Sequence, residues 1–545
     1  ISKKNLYVVP KSLVSQWSHM FKYIYPNANI LTVTTSMFNV NKMFETLKLI
    51  KNGDYDAVIM AYSSFDRIPV SKTYLLEIIK EKLNKLNERK SKKKQTAETK
   101  EKIKELQDEI VELETKYINN PDVVYFDELG INTLFVDEAH NYKNLNIESK
   151  IMNINGIRSS GSKKCDEMLL KVRLVQKNNN GRGIVFATGT PITNSLSDIY
   201  VMQQYLQSGE LAMLNLQTFD SWVGMFVEKE TTLEVDVDTT NFRMATRFSN
   251  YHNMPELSNI LANIIDFYSV EDSDEIPKMN GYVDVTIPQT NEFKRYLEEI
   301  SKRADDIRGG KVKRKDDNFL KLTTDGKKAA LDLRLVKPKM QFYLQSKIAY
   351  CADIILKLYI DYYKEKYAQL VFCDISTPQD KFNIYDDLKD LLVSYGVKEE
   401  EIAFIHDATT DSRRDKLFES VRKGKIRILI GSTFKLGTGV NVQDKLIALH
   451  HLDIPWRPSD IIQREGRIIR QGNENEEVFI YRYITEGSFD AYSWQIIENK
   501  QKMINALLKG CMTERMCEEV EQTILNYAEI KALAIGNPLL KKRVE

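Results

Sequence analysis

The stretch TLFVDEAHNYKN, residues 133 to 144, decides how the chain is read. Leu134, Phe135 and Val136 form a short apolar run, which predicts a buried strand, and two acids follow at once. Acids at the carboxyl end of a buried parallel strand are costly unless they hold a metal or meet a ligand in the crevice there. In that setting Asp137 would hold Mg²⁺ on a nucleotide, and Glu138 would polarise the attacking water. The plain alternative is a strand that ends in a solvated acidic turn.

Composition narrows the class. The chain has 545 residues, of which 42% are hydrophobic and 28% charged, so several globular units are expected. Lys+Arg is 78 against Asp+Glu 77, a net charge of +1, so a nucleic-acid surface must be a local patch. Five scattered cysteines without a CxxC pair argue for a reducing, cytoplasmic setting and against structural zinc. No apolar run reaches a membrane span, and no signal peptide is visible. The chain opens on Ile1, nearly in a strand, which suggests a fragment.

Outward from the acids, LYVVPKSLVSQW (6–17) reads as a strand, a Pro10 stop and a helix capped by Ser12. DAVIMAYSSF (56–65) repeats the plan of buried strand and polar turn. Lys11, Ser12, Ser63 and Ser64 can touch a phosphate backbone, although taken by themselves such residues are better explained by helix capping. Between these blocks and the acids, apolar residues at helical spacing over 75–117 flank a charged tip, NERKSKKKQTAETK. That pattern predicts an antiparallel helical hairpin inserted into the domain. GIRSSGSKK (156–164) lacks the GxxxxGK[ST] spacing of a phosphate loop and reads as an ordinary loop. GIVFATGTPITNS (183–195) is a buried strand ending in Thr188, Gly189, Thr190 and Pro191, small groups able to link a nucleotide site to a neighbouring surface.

From about 200 the pattern turns helical and irregular, with YVDVTIP (282–288) as one alternating strand. Lys302 to Lys328, highly charged around RGGKVKRKDD, reads as a mobile loop. A second α/β region begins near 340. Its strands are QLVFCD (369–374), IAFIHD (402–407), RILIGST (427–433), LIALHHLD (446–453) and VFIYRYIT (478–485). Apolar strands alternating with helices mean a parallel sheet buried on both faces. After one strand, GSTFKLGTGVNVQ (431–443) offers Thr433, Gly437 and Asn441. Then DIPWRPSDIIQREGRIIRQG (453–472) carries Trp456, Gln463, Arg464, Arg467 and Arg470, with Arg467 and Arg470 sharing a face of one predicted helix. Such arginines suit a triphosphate more than mere solvation.

Taken together, these blocks resemble a superfamily 2 helicase-type motor of the Swi/Snf-like kind. YVVPKSLVSQW is similar to motif Ia, DEAH (137–140) to motif II and TGTP (188–191) to motif III. VFCDIS (371–376) resembles motif IV, STFKLGTGVNVQ motif V and QREGRIIRQG motif VI. The resemblance implies an α/β fold of two RecA-like parallel-sheet lobes with helical insertions. The first lobe would span 1–270 with the hairpin at 75–117, and a linker with the charged loop 271–340. The second lobe would span 341–487, with a helical extension over 488–545. ATP and Mg²⁺ would be the cofactors. Asp137, Glu138, Arg467 and Arg470 would be catalytic, and His140, Thr188, Gly189, Thr190, Gly437 and Gln463 would bind or couple ATP. Lys11, Ser12, Ser63, Thr433, Asn441 and Trp456 would meet DNA, with duplex favoured.

The resemblance departs from the family where motif I is absent and where DFYSVEDSDE (266–275) is acidic in place of a basic segment. ATP turnover by residues 1 to 545 alone is therefore expected to be weak or absent. The ending, with GNPLL at 536–540, looks like the large helicase–methyltransferase proteins of phages and conjugative elements, so a methyltransferase in the same protein is an expected partner. Two other readings stay open: a strand-separating helicase on single-stranded DNA or RNA, and a degenerate motor fold serving as a DNA-binding or assembly module.

Overall fold

The computed structural model describes residues 4–39, 41–90, 97–116, 123–151, 161–192, 195–235, 242–268, 275–313, 315–436 and 441–518. The chain divides into two units, one made chiefly of residues 1–148, 158–191 and 199–219, the other chiefly of 220–545. No helix of the described residues is long and apolar enough to cross a membrane.

The first unit is built on a five-stranded, all-parallel sheet. Its strands are β1 (Asn5–Val9), β2 (Ile30–Val33), β3 (Ala57–Ala61), β4 (Thr133–Val136) and β5 (Ile184–Phe186), in the order β2-β3-β1-β4-β5. Every residue of β3 is buried, as a central parallel strand requires. The helix expected after Pro10 starts differently. Lys11–Leu13 is a 3₁₀ turn, the α-helix is Val14–Ile24, and Leu13 is its N-cap, so Ser12 is not the cap. The hairpin is present as helices Lys72–Lys90 and Ala97–Lys116, packed on one another, while residues 91–96 at its tip lie outside the described residues.

The second unit holds a six-stranded parallel sheet. With β6 (Val227–Val235) and β7 (Phe242–His252) preceding it in the chain, its strands are β8 (Lys278–Ile287), β9 (Ala368–Phe372), β10 (Ile402–Phe404), β11 (Ile428–Gly431), β12 (Leu446–His451) and β13 (Glu477–Thr485). They are ordered β10-β11-β9-β12-β13-β8. All five strands read from sequence in the second region are there. Each unit is thus a RecA-like α/β lobe.

Three expectations need correction. β8 belongs to the second sheet, not to a linker ahead of it, because it pairs in parallel with β13 from Glu477 to Thr485, with one register shift between Val478 and Ile480. The stretch from about 200 is helical over most of its described regular structure, as expected, but it holds more than the one strand read from sequence. β6 and β7 pair antiparallel, and β14 (Met516–Glu518) joins β7, giving a three-stranded sheet. Finally, Lys302 to Lys328 is not a loop over most of its length: helices Asn291–Arg308 and Phe319–Leu331 occupy it. Phe293, Tyr296, Leu297, Ile300 and Ala304 recur at helical spacing and share a core with Leu322, Ala329 and Phe489. Lys311, Lys313 and Lys315 between the two helices stay exposed, while charges nearer the helices pair. Arg303 donates to Asp317 from Nε (2.7 Å) and Nη2 (2.8 Å), and to Asp325 at 2.9 Å.

Candidate active-site and nucleic-acid-facing residues

In the first unit the acids stand where β4 ends. The Asp137 amide donates to the Val8 carbonyl at 3.0 Å, holding the turn to β1, and its carboxylate accepts the Glu138 amide at 3.0 Å. Glu138 has φ 47° and ψ 46°, a left-handed conformation that a β-carbon disfavours. The strain costs about 1 kcal/mol or more and is held by its surroundings: Asn141 donates to the Glu138 carbonyl through its amide and its side chain, each at 3.0 Å. Burial and then the Glu138 charge raise the Asp137 carboxyl above the usual carboxylate range, while a hydrogen bond from Trp17 opposes them.

The TGTP segment meets these acids through His140. Its Nδ1 lies 3.0 Å from Thr188 Oγ1, 3.5 Å from Thr190 Oγ1 and 3.3 Å from Glu138 Oε2. Thr188 Oγ1 also accepts the Thr190 amide at 3.0 Å, and Gly189 between them is exposed. From the other side, the Tyr62 hydroxyl donates to the Asp137 carbonyl, and Tyr142 donates to Asp66 at 3.0 Å. The short helix Tyr62–Phe65 therefore rests on the acidic turn. Ser63 on it is exposed, as are Lys11 and Ser12, whereas Ser64 is buried.

In the second unit the strand ends converge on Arg464, which the sequence grouped with the arginines suited to a triphosphate and which the fold spends on its own acids. Arg464 is fully buried. It donates to Thr433 Oγ1 (2.7 Å), Asp374 Oδ2 (2.7 Å), Asp453 Oδ1 (2.9 Å) and the Asp453 carbonyl (2.9 Å). Asp453 Oδ2 accepts the amides of Asp374 and Ile375. One guanidinium thus ties the ends of β9, β11 and β12 to the helix Pro458–Glu465. Burial works to raise the Asp374 carboxyl, but Arg464 and Thr433 outweigh it and hold it low; for Asp453 burial prevails and the carboxyl is raised. The visible signal was an acid ending each buried strand, VFCD and LHHLD, the same pattern as at Asp137.

Two placements differ from expectation. Thr433 does not offer its hydroxyl to a polynucleotide, since it donates to Asp374 at 2.6 Å and accepts from Arg464. Arg467 and Arg470 do not share a helical face. The helix ends at Glu465, the Gly466 amide closes it on the Ile462 carbonyl, and buried Ile468 draws the chain inward, so both arginines lie in the turns beyond. Arg467 Nε donates to the Gln463 carbonyl at 3.3 Å, and burial lowers the Arg470 guanidinium. Asn441 is half-buried, its carbonyl accepting from Arg422 at 2.6 Å, and Trp456 is exposed. Gly437 lies outside the described residues.

Comparison with known proteins gives a family for each region. Residues 1–269 match the family described as a probable helicase domain, and residues 350–472 match the helicase conserved C-terminal domain. Over 100 residues, 18% of this chain, the sequence is 31% identical to the Defense against restriction protein B of Escherichia phage P1. That match takes in 4% of the phage protein's length.

Proposed function

Since the chain is a helicase-superfamily protein, we propose that it serves an ATP-dependent, Swi/Snf-like motor that translocates on duplex DNA. The observation that supports this best is the His140 junction. It places Thr188 and Thr190 within 3.0–3.5 Å of the ring that also faces Glu138, so a shift of either segment is felt by the other.

The residues fit Mg²⁺ and a nucleotide. Asp137 is a half-buried carboxyl raised by burial and by Glu138, and Mg²⁺ is commonly bound by one or two carboxylates together with substrate phosphates. Asp137 would hold the ion, which when bound neutralises charge on the phosphates. Glu138 would orient the attacking water and accept its proton, its carboxylate lying 3.3 Å from His140 Nδ1. By the resemblance, Arg467 and Arg470 would stabilise charge on the transferred phosphoryl group, and Gln463, Gly189 and Gly437 would be nucleotide-contacting residues. Lys11, Ser12, Ser63, Asn441 and Trp456 carry the DNA contacts. Phosphate contacts dominate affinity, so binding weakens steeply with salt. Cytoplasmic action on DNA, within a protein that also carries a methyltransferase, completes the reading.

Replacing Glu138 by Gln in the natural protein that carries this chain is expected to leave ATP binding intact and to stop turnover. Wild-type hydrolysis in that variant would sink the assignment. Comparing ATPase stimulation by duplex, single-stranded DNA and RNA separates a duplex translocase from a strand-separating helicase.

A further inference from the structure

Behind Trp456, in the second unit, is a small cavity lined by Lys327, Lys347, Asp453, Asp490, Ser493 and Ile454, among others. Its charges are unevenly satisfied. The Lys347 ammonium is paired with Asp490 at 2.6 Å, and Asp490 also accepts the Thr485 amide. Asp453 is taken up by Arg464 and by the amides of Asp374 and Ile375. Lys327 is different. It is 9% exposed, and among the described residues its ammonium has neither an ion pair nor a hydrogen bond. What it has is the ring of Trp456, with Nζ 3.6 Å from the centroid. Trp456 itself is 38% exposed.

Burying an ammonium without a paired anion is unfavourable, and cation–π attraction grows when the cation is desolvated. The arrangement is therefore a partly exposed ring held by a buried cation. The ring and Asp453 belong to one short segment, the one leaving β12, and Asp453 is the acid that Arg464 grips. We infer that Lys327 is a positioning residue for the polynucleotide: its ammonium fixes the Trp456 ring for contact and links that ring, through the Asp453 it faces, to Arg464 and the strand ends at Asp374 and Thr433. The inference rests on the reading of Trp456 as a nucleic-acid contact.

The groups facing Lys327 set its protonation. Burial lowers the amine to about 8, Asp453 and Asp490 raise it, and Lys500 and Arg464 lower it, with Lys347 also in the cavity. Lys327 is therefore mostly charged at neutral pH and neutral by about pH 9.5. The test uses the full chain, a fluorescein-labelled DNA duplex and the Trp456 emission, obtained as wild type minus Trp456→Phe. The Trp456 emission is expected to inflect near pH 8 and the duplex affinity to fall over the same window. Lys327→Met is expected to bind about tenfold more weakly at neutral pH and to show no inflection.

An emission profile that stays flat from neutral to alkaline pH overturns the inference, as does parental affinity in Lys327→Met. If Lys327→Met does not fold, the wild-type emission titration decides by itself. Trp456→Ala tests the underlying reading separately. Parental affinity in that variant removes Trp456 as a contact, whereas weaker binding there with parental binding in Lys327→Met removes only the role of Lys327.

Discussion

Replacing Arg464 by Met is expected to be among the most damaging single changes in the second unit. Methionine keeps an unbranched stem of similar reach and removes the guanidinium, so the loss is chiefly electrostatic. Five donated hydrogen bonds disappear, at 2.7, 2.7, 2.9, 2.9 and 3.3 Å, the last to His451 Nδ1. Asp453, 2% exposed and already raised by burial, is left as a buried carboxyl without its hydrogen-bonded guanidinium, and Asp374 loses the ion pair that holds it low. Breaking a buried pair from one side costs about 3–5 kcal/mol, because the remaining charge stays desolvated. In a unit of this size that is on the order of 10 °C in the unfolding midpoint. Urea and thermal unfolding monitored by circular dichroism measure it. Adding Asp453→Asn to Arg464→Met should recover part of the loss, since the amide oxygen still accepts the Asp374 and Ile375 amides and the stranded charge is gone. If Arg464→Met stays within about 1 kcal/mol of the parent, or if the second change adds to the damage, the reasoning from a buried charge knot is wrong.

Two further changes probe the packing around that knot. At Gly326, inside the helix Phe319–Leu331, an added β-carbon would stand 2.8 Å from two ring carbons of the fully buried Phe489. Gly326→Ala should therefore destabilise by about 1–3 kcal/mol although alanine is the better helix former, and a stabilised variant in urea unfolding would refute the clash. His450 is fully buried, with Nδ1 2.8 Å from the Tyr483 hydroxyl and Nε2 3.0 Å from Gln369 Oε1, and burial holds its ring down to about 3. Between about pH 6.5 and 3 the unfolded chain takes a proton that the folded one refuses, so stability falls with falling pH by about 1.4 kcal/mol per unit. His450→Gln should flatten that slope from pH 6 to 4, and an unchanged slope would exclude His450 as its source.

Much of the architecture was legible from local pattern. Leu134-Phe135-Val136 and the five strands of the second region are short apolar runs, and such runs buried on both faces of a parallel sheet need no distant information to be recognised. The hairpin was likewise carried by helical spacing over 75–117. Asp137 and Glu138 stood out because acids directly after a buried strand are expensive without a purpose. The same rule, applied to VFCD and LHHLD, would have singled out Asp374 and Asp453.

What the tertiary structure alone decided is where distant groups meet. The placement of β8 beside β13 joins residues some two hundred positions apart, and neither strand's own alternation specifies its neighbour. Charge was the weakest guide. The charges of Lys302 to Lys328 hid two helices whose apolar faces share a core, and the arginine segment looked like one helix until Ile468 was drawn into the core. Thr433 offered a free hydroxyl in sequence and is spent on Arg464 in space. Lys327 read as one more cation in a basic run, and folding set it beneath Trp456. The periodicity of apolar residues is a property of the chain's own repeat and survives in one dimension. Whether a charge is solvated, paired or buried depends on its partners, which only the folded chain brings within reach.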